Sequence, residues 1–219
     1  MSKAGYHLVV GSKQVSSWSL RPWFLMRQAG LEFAETVITL RTPGTRKLIL
    51  KHSPSGQVPV LKTGALAIWD SLAIAEYLNE RHPEKQLWPA DIPARAWARS
   101  ISAEMHSSFR AMRYALPMEF SSSGLTAKID DDTRADITRV AEIWTSTRKA
   151  FGKGGPFLLG ACTIADAMYA PVVSRFTSYG IDLRAFGDDG SAEEYRKHVF
   201  SLHAMTEWGK GAKAELAAA

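Results

Sequence analysis

Pro59 stands where a turn runs directly into a strand, and no other residue restricts this chain so much. In Gly56-Gln57-Val58-Pro59-Val60-Leu61, the turn residues Pro54, Ser55 and Gly56 lead straight into a Val-Pro step and an apolar run. X-Pro bonds are nearly the only peptide bonds that go cis cheaply, so a kinked, cis Val58–Pro59 step is expected. Such a kink leaves the N–H and C=O of Val58 unpaired and facing outward, where they can pair with the backbone of a short peptide as an added strand does. Asp70 and Ser71 follow nine residues after Leu61 and open an apolar-periodic segment. Free amides and the positive end of the dipole at a helix start attract a carboxylate. The Ser71 hydroxyl would add a hydrogen bond, and Asp70 could hold an ammonium. Together these groups suit a small peptide with an α-amino acid end. The bland alternative, Ser71 as a mere N-cap and Pro59 as a mere turn proline, is satisfied equally well by each residue taken alone.

The flanking residues supply an α/β framework. Tyr6–Val10 reads as a first strand ending at Gly11, and Leu20–Ala29 as a helix stopping at Gly30, with Pro22 near its start. Glu35–Leu40 reads as a strand and Thr45–Lys51 as a short helix. Val58–Leu61 and Leu66–Trp69 flank Thr63-Gly64 as a hairpin, and Leu72–Arg81 reads as a helix. The order βαβαββα implies a mixed sheet with helices on its faces. Pro83, Pro89 and Pro93 mark a linker after His82. All that follows reads as helical. Asp91 can cap a long helix whose ridge Trp97, Ile101, Met105, Phe109 and Met112 would be buried. A second face of that helix carries Arg99, His106, Arg110 and Tyr114. Further helices are expected near Thr133–Lys149, Thr163–Tyr179 and Ser191–His203, with a loosely held tail from Gly209 to Ala219. This gives residues 1–82 as the α/β domain, 83–92 as the linker and 93–219 as an all-α domain.

Composition narrows the function. Of 219 residues, 46% are hydrophobic and 22% charged, which is ordinary for a chain that buries a real core. No apolar run approaches the ~18–20 residues that cross a bilayer, and MSKAGYHLVV has no secretory apolar segment. The single cysteine, Cys162, cannot form an internal disulfide, so a reducing, cytoplasmic setting is expected. The net charge of +5 is dispersed, which argues against nucleic acid and favours steering of small anions. The six histidines lack metal-ligand spacing, so no metal is expected. Gly152, Gly154 and Gly155 do not follow a strand in the phosphate-loop pattern.

The run Gly-Gln-Val-Pro-Val-Leu, followed by Asp-Ser-Leu-Ala-Ile-Ala-Glu-Tyr-Leu, resembles the glutathione-site signature of the glutathione transferases. Ser16-Ser17-Trp18-Ser19 resembles the zeta-class motif Ser-Ser-Cys-Ser, and Thr163-Ile164-Ala165-Asp166 resembles the family's capping motif in the helical domain. The resemblance implies a thioredoxin-like N-terminal domain, glutathione as co-substrate, a small electrophilic second substrate and a homodimer. It implies that Val58, flanked by Gln57 and Pro59, binds the cysteinyl backbone, and that Asp70 and Ser71 bind the γ-glutamyl end. The family usually has Glu or Gln where Asp70 stands. Arg41, Arg46 and Lys51 are candidates for the glycyl carboxylate. Ser16 takes the thiol-contacting role, with Ser17 beside it, while Ser19 reads as a helix N-cap. A cysteine thiol has a pKa of about 8.5. Lowering it by ~2 units takes ~2.7 kcal/mol, which a hydrogen bond to a charged group, at ~1.5–3 kcal/mol, nearly supplies.

Trp18 falls where the zeta and beta classes carry cysteine, which argues against thiol–disulfide chemistry. It either lines the acceptor pocket or packs. Glu104-Met105-His106 with Phe109 resembles a beta-class stretch that puts His106 near the sulfur. Arg110 and Tyr114 match ligand-touching zeta-class positions, and Met105 adjoins them although its ridge position reads as core. Tyr6 lies at the start of its strand, which disfavours a tyrosine-type enzyme. The expected activity is conjugation of the glutathione thiolate to an electrophilic, hydrophobic substrate. The rivals are a glutathione-dependent cis–trans isomerase of the maleylacetoacetate type and a non-catalytic binding module of the same fold.

Overall fold

A computed structural model describes residues 5–218. The sheet half contains β1 (Tyr6–Gly11), α1 (Ser17–Gln28), β2 (Phe33–Ile38), α2 (Thr45–Ile49), β3 (Val60–Thr63), β4 (Leu66–Trp69) and α3 (Ser71–Arg81). The strands lie in the order β2-β1-β3-β4. β1 pairs parallel with β2 and antiparallel with β3, and β3 pairs antiparallel with β4. This is the thioredoxin-like order expected. β1 is central and covered on both faces, which explains its unbroken apolar run. Leu8 and Val10 join the main core, while Val9 joins Ile38, Ile49 and Val60 beneath α2.

Several boundaries differ from expectation, three of them for a clear local reason. α1 begins at Ser17 rather than Leu20, so Pro22 falls in its second turn. β2 starts at Phe33 because Phe33 pairs with Tyr6. β3 starts at Val60 rather than Val58, since Pro59 has no amide to give the ladder.

The second half holds α4 (Ile92–Ser107), α5 (Arg110–Ala115), α6 (Asp131–Phe151), α7 (Ile164–Ser178), α8 (Ser191–Ser201) and α9 (His203–Ala217). The expected continuous helix through Met112 breaks at Phe109, whose φ is 64°. The amide of Met112 donates to Asp136 Oδ2 at 3.0 Å. Ile101, Met105, Phe109 and Met112 are buried as expected, but Trp97 is half exposed against Phe151 and donates to Thr147. α7 is buried on nearly every side, as a helix without a polar face must be. α1 and α4 both pack against it, which ties the two halves into one core. At its start, the Asp166 carboxylate accepts from the amides of Leu158 (3.1 Å) and Thr163 (2.8 Å), so the expected capping box forms.

The segment expected to hang loose is a packed helix. Trp208 and Ala212 on α9 are fully buried, and the Trp208 indole donates to the Lys13 carbonyl at 2.8 Å. Glu215 accepts from the amides of Lys13 (2.7 Å) and Gln14 (3.2 Å). A Cβ at Gly211 would lie 2.5 Å from Lys13 Cδ, so a larger residue there would displace the Lys13 side chain. Composition near the end of the chain concealed these long-range contacts. Among the described residues, no helix is long and apolar enough to cross a membrane.

Candidate active site

A cleft of about 720 Å³ opens where the start of α1, the turn before β3, the start of α3 and the end of α4 converge. Val58 borders it beside a Val58–Pro59 peptide bond that is cis. Among the described residues, the Val58 N–H and C=O have no hydrogen-bond partner. Asp70 is the N-cap of α3 with φ 75°, and its Oδ1 accepts from the amides of Leu72 (2.8 Å) and Ala73 (3.2 Å). Ser71 is therefore not the cap. It is the first helical residue, and its hydroxyl, at the wall of the cleft, is not spent on α3.

Ser16 and Ser17 line the same cleft. Ser16 is the N-cap of α1 by its backbone alone, and its side chain makes no capping bond. Ser19, expected as the cap, sits inside the first turn. Its fully buried Oγ accepts twice, from the Gly11 amide at 3.0 Å and from the Ser16 hydroxyl at 2.7 Å. The Tyr6 hydroxyl is bonded to His82 at 2.9 Å, away from the cleft.

Trp18 both lines the cleft and packs. The Arg21 guanidinium lies 4.1 Å and that of Arg113 5.0 Å from its ring centre, and His106 meets it edge-on at 5.3 Å. Arg21 is buried, reaches Ser71 Oγ at 3.5 Å, and keeps Nε and Nη2 without partners. Burial, with Arg113 and Arg175 nearby, pulls its pKa well below the usual guanidinium range. Arg113 is lowered by burial as well. His106 reaches the cleft as expected, but its Nε2 is held by Asp70 Oδ2 at 2.7 Å, bridging α4 to α3. One Asp70 oxygen thus serves the helix and the other the histidine.

The remaining candidates fall elsewhere. Gln57 and Pro59 border the cleft. Arg41, Arg46 and Lys51 are exposed and outside its lining. Arg46 comes nearest: a Cβ at Gly56, which borders the cleft, would lie 3.0 Å from Arg46 Nη1. Met105 is fully buried core. Arg110 and Tyr114 are turned away by the break at Phe109 and line a separate shallow hollow with Ala111 and Arg113. Residue reading missed Trp69, Leu40 and Ile49 as lining. It also missed Arg21, an i,i+3 neighbour of Trp18 that a helix starting at Leu20 leaves unpaired with it, and Arg113, which comes from α5. Cys162 is partly buried, and desolvation raises its pKa well above the ordinary thiol value, which disfavours the reactive thiolate.

The family described as "Glutathione S-transferase, N-terminal domain" matches residues 15–81. A probable maleylacetoacetate isomerase of Caenorhabditis elegans is 34% identical over 174 residues, 78% of this chain and 78% of that protein. The chain belongs to the glutathione transferase family. A zeta-class glutathione S-transferase of Euphorbia esula is 26% identical over 177 residues, 78% of this chain and 77% of that protein. Among solved structures, a glutathione transferase homolog from Burkholderia GL BGR1, with bound glutathione, superimposes with a TM-score of 0.70 at 20% identity, covering 96% of this chain and 99% of that one. The family's fold thus extends over 96% of this chain. The serine motif, the Val-Pro turn and the Asp-Ser helix start stand around one cleft.

Proposed function

We propose that this glutathione transferase binds glutathione across the cleft and presents its thiolate to a small, electrophilic, mostly apolar substrate. One observation carries the reading: the unpaired Val58 backbone and the hydroxyls of Ser71 and Ser16, neither of them spent on a helix cap, border the same cleft. Val58 pairs with the cysteinyl backbone, Ser71 takes the γ-glutamyl carboxylate, and Asp70 shares Oδ2 between the ammonium and His106. Arg46 is the favoured partner for the glycyl carboxylate. On binding, the Ser16 hydroxyl turns from Ser19, to which it donates in the free protein, and donates to the sulfur beside the start of α1, which favours the thiolate. Serine is not the nucleophile; it stabilises one. Residues 1–82 bind glutathione, 83–92 link, and 93–219 contribute the acceptor side, where Trp18 and His106 meet. We further propose a homodimer in the cytoplasm.

The test is Ser16→Ala. Turnover with a generic electrophile should fall about 10–100-fold, the effect of losing a charge-assisted hydrogen bond, with glutathione affinity nearly kept. Unchanged turnover would move the role to Ser17. Isomerisation is a second reading, favoured by the 34% identity to the nematode protein. A conjugating enzyme consumes thiol, whereas an isomerase acting on a maleyl-type acid returns it, so thiol loss during turnover separates them.

A further inference from the structure

Ser16 reaches the cleft on a turn between β1 and α1 that belongs to the sheet half by sequence. The turn is wound on the Ser12 carbonyl, which accepts from the amides of Val15 (3.2 Å) and Ser16 (2.9 Å). Within it stands Gln14, 6% exposed, with all four of its polar atoms spent on residues remote in sequence. Its amide donates to Glu215 Oε2 at 3.2 Å, and its carbonyl accepts from the Phe120 amide at 3.0 Å. Its Oε1 accepts from the Ser121 amide (3.0 Å) and the Ser121 hydroxyl (2.6 Å). Its Nε2 donates to Glu119 Oε2 (3.1 Å) and Ser122 Oγ (3.4 Å). A backbone N–H only donates and a carboxylate only accepts, so the orientation of the side-chain amide is fixed from both ends. A glutamate would meet Ser121 equally well, but it would set a second carboxylate against Glu119. Residues 116–120 are themselves fastened to α7. Arg175 Nε donates to the Leu116 carbonyl at 2.8 Å, and Ser178 Oγ to the Glu119 carbonyl at 3.2 Å. A line of hydrogen bonds thus runs from the buried helix of the helical half to the turn that carries Ser16.

Resting on the reading of the cleft as a glutathione site with Ser16 at the sulfur, we infer that Gln14 is a positioning residue, which sets the turn against the helical half and so places the Ser16 hydroxyl. That hydroxyl has to turn from Ser19 to the sulfur. The rotation is about a single bond, so it reaches the sulfur only when the Ser16 backbone is held. A misplacement of about 1 Å is worth up to ~100-fold in rate. Val58 and Ser71, which grip the rest of glutathione, stand on the turn before β3 and on α3, and Gln14 bonds to neither. Gln14 therefore governs turnover rather than affinity.

The experiment compares wild type, Gln14→Glu, Gln14→Glu with Glu119→Gln, Ser16→Ala, and Gln14→Glu with Ser16→Ala. Turnover with a generic electrophile, glutathione calorimetry and melting temperature are measured on each. A wild type that does not bind glutathione, or a Ser16→Ala variant with full turnover, would overturn the underlying reading and the positioning role with it. Otherwise Gln14→Glu should lower kcat about ten-fold while glutathione Kd stays within about two-fold. Adding Glu119→Gln exchanges donor and acceptor at the same net charge, and should bring kcat back to within about three-fold of wild type. In the Ser16→Ala background, Gln14→Glu should lower the melting temperature as before yet take nothing further from turnover, because residues acting as a unit are non-additive. A staple that only stabilises the fold predicts equal losses of turnover in both backgrounds. That result, an unchanged kcat, a loss confined to Kd, or no rescue by the exchange would overturn the positioning role while leaving the glutathione reading standing. If Gln14→Glu does not fold, Gln14→Met in the two backgrounds is read in the same way, since it keeps the length and removes both ends of the amide.

Discussion

Asp70 shows how closely function and local conformation are joined in this cleft. Its carboxylate caps α3 through Oδ1 and grips His106 through Oδ2, while its backbone sits at φ 75°. Alanine here loses the cap and keeps the left-handed strain, so Asp70→Ala should cost about 1–3 kcal/mol. Asparagine retains a capping oxygen and tolerates positive φ better than most residues, so Asp70→Asn should keep most of that stability. Equal falls in melting temperature for the two variants would show that the cap and the backbone are not what matters. At this scale, much of the site was legible in the sequence. Ser16, Ser17, Val58, Ser71 and His106 reach one cleft because turn chemistry and helix starts are local properties of short runs. Arg21 was not legible, because its meeting with Trp18 requires α1 to start at Ser17 and its meeting with Ser71 is decided by how α1 rolls against α3. Arg110 and Tyr114 were misplaced because one residue in the left-handed region, Phe109, reset the helical phase between them and His106.

The elements themselves were legible wherever period or punctuation was strong, and their ends were set by partners that no local window contains. α9 is the main case. Glu215 holds the amides of Lys13 and Gln14, the Trp208 indole holds the Lys13 carbonyl, and Lys13 Nζ pairs with Glu35 at 2.6 Å between the rings of Trp23 and Trp208. The last helix thus clamps the loop that carries Ser16. Glu215→Ala removes two bonds to a charged acceptor, so about 1–3 kcal/mol of stability should be lost. Turnover should fall more than glutathione affinity, because Val58 and Ser71 lie outside the clamp. A variant with wild-type stability and turnover would show the clamp to be idle. α7 supports a second prediction, through pH. Burial raises the Asp166 pKa from its ordinary 3.8 to about 6. A folded-state pKa above the unfolded one means that the contribution is fully present below about pH 4 and lost as pH rises through about 6. The size is roughly 2–3 kcal/mol for a shift of about two units. Asp166→Asn should flatten that part of the stability profile measured by denaturant titration between pH 4 and 7. An unchanged slope would assign the pH dependence to other groups.

On the scale of the whole chain, the two halves are one body thermodynamically. α1 belongs to the sheet by sequence, yet it packs against α7, and its Trp23 meets Trp208 of α9 with ring centres 5.2 Å apart. Leu8, Val10, Leu20 and Phe24 share a single apolar cluster with Met105, Met168 and Val173. Fully burying a Leu, Phe or Met side chain is worth ~1.5–3 kcal/mol, so uncovering even four of them would cost ~6–12 kcal/mol. That matches the entire stability of a typical domain, about 5–15 kcal/mol. The sheet half therefore cannot remain folded once the helical half has melted. Calorimetry should show one transition, with calorimetric and van't Hoff enthalpies equal for the folding unit. Residues 1–82 expressed alone should lack a cooperative melt. Two resolved transitions, or a cooperatively melting N-terminal fragment, would mean that the α1–α7 contact is too weak to join the halves. The positions of Ser16 and His106 across the cleft would then vary independently, and the site would have to be assembled by its ligand rather than by the fold.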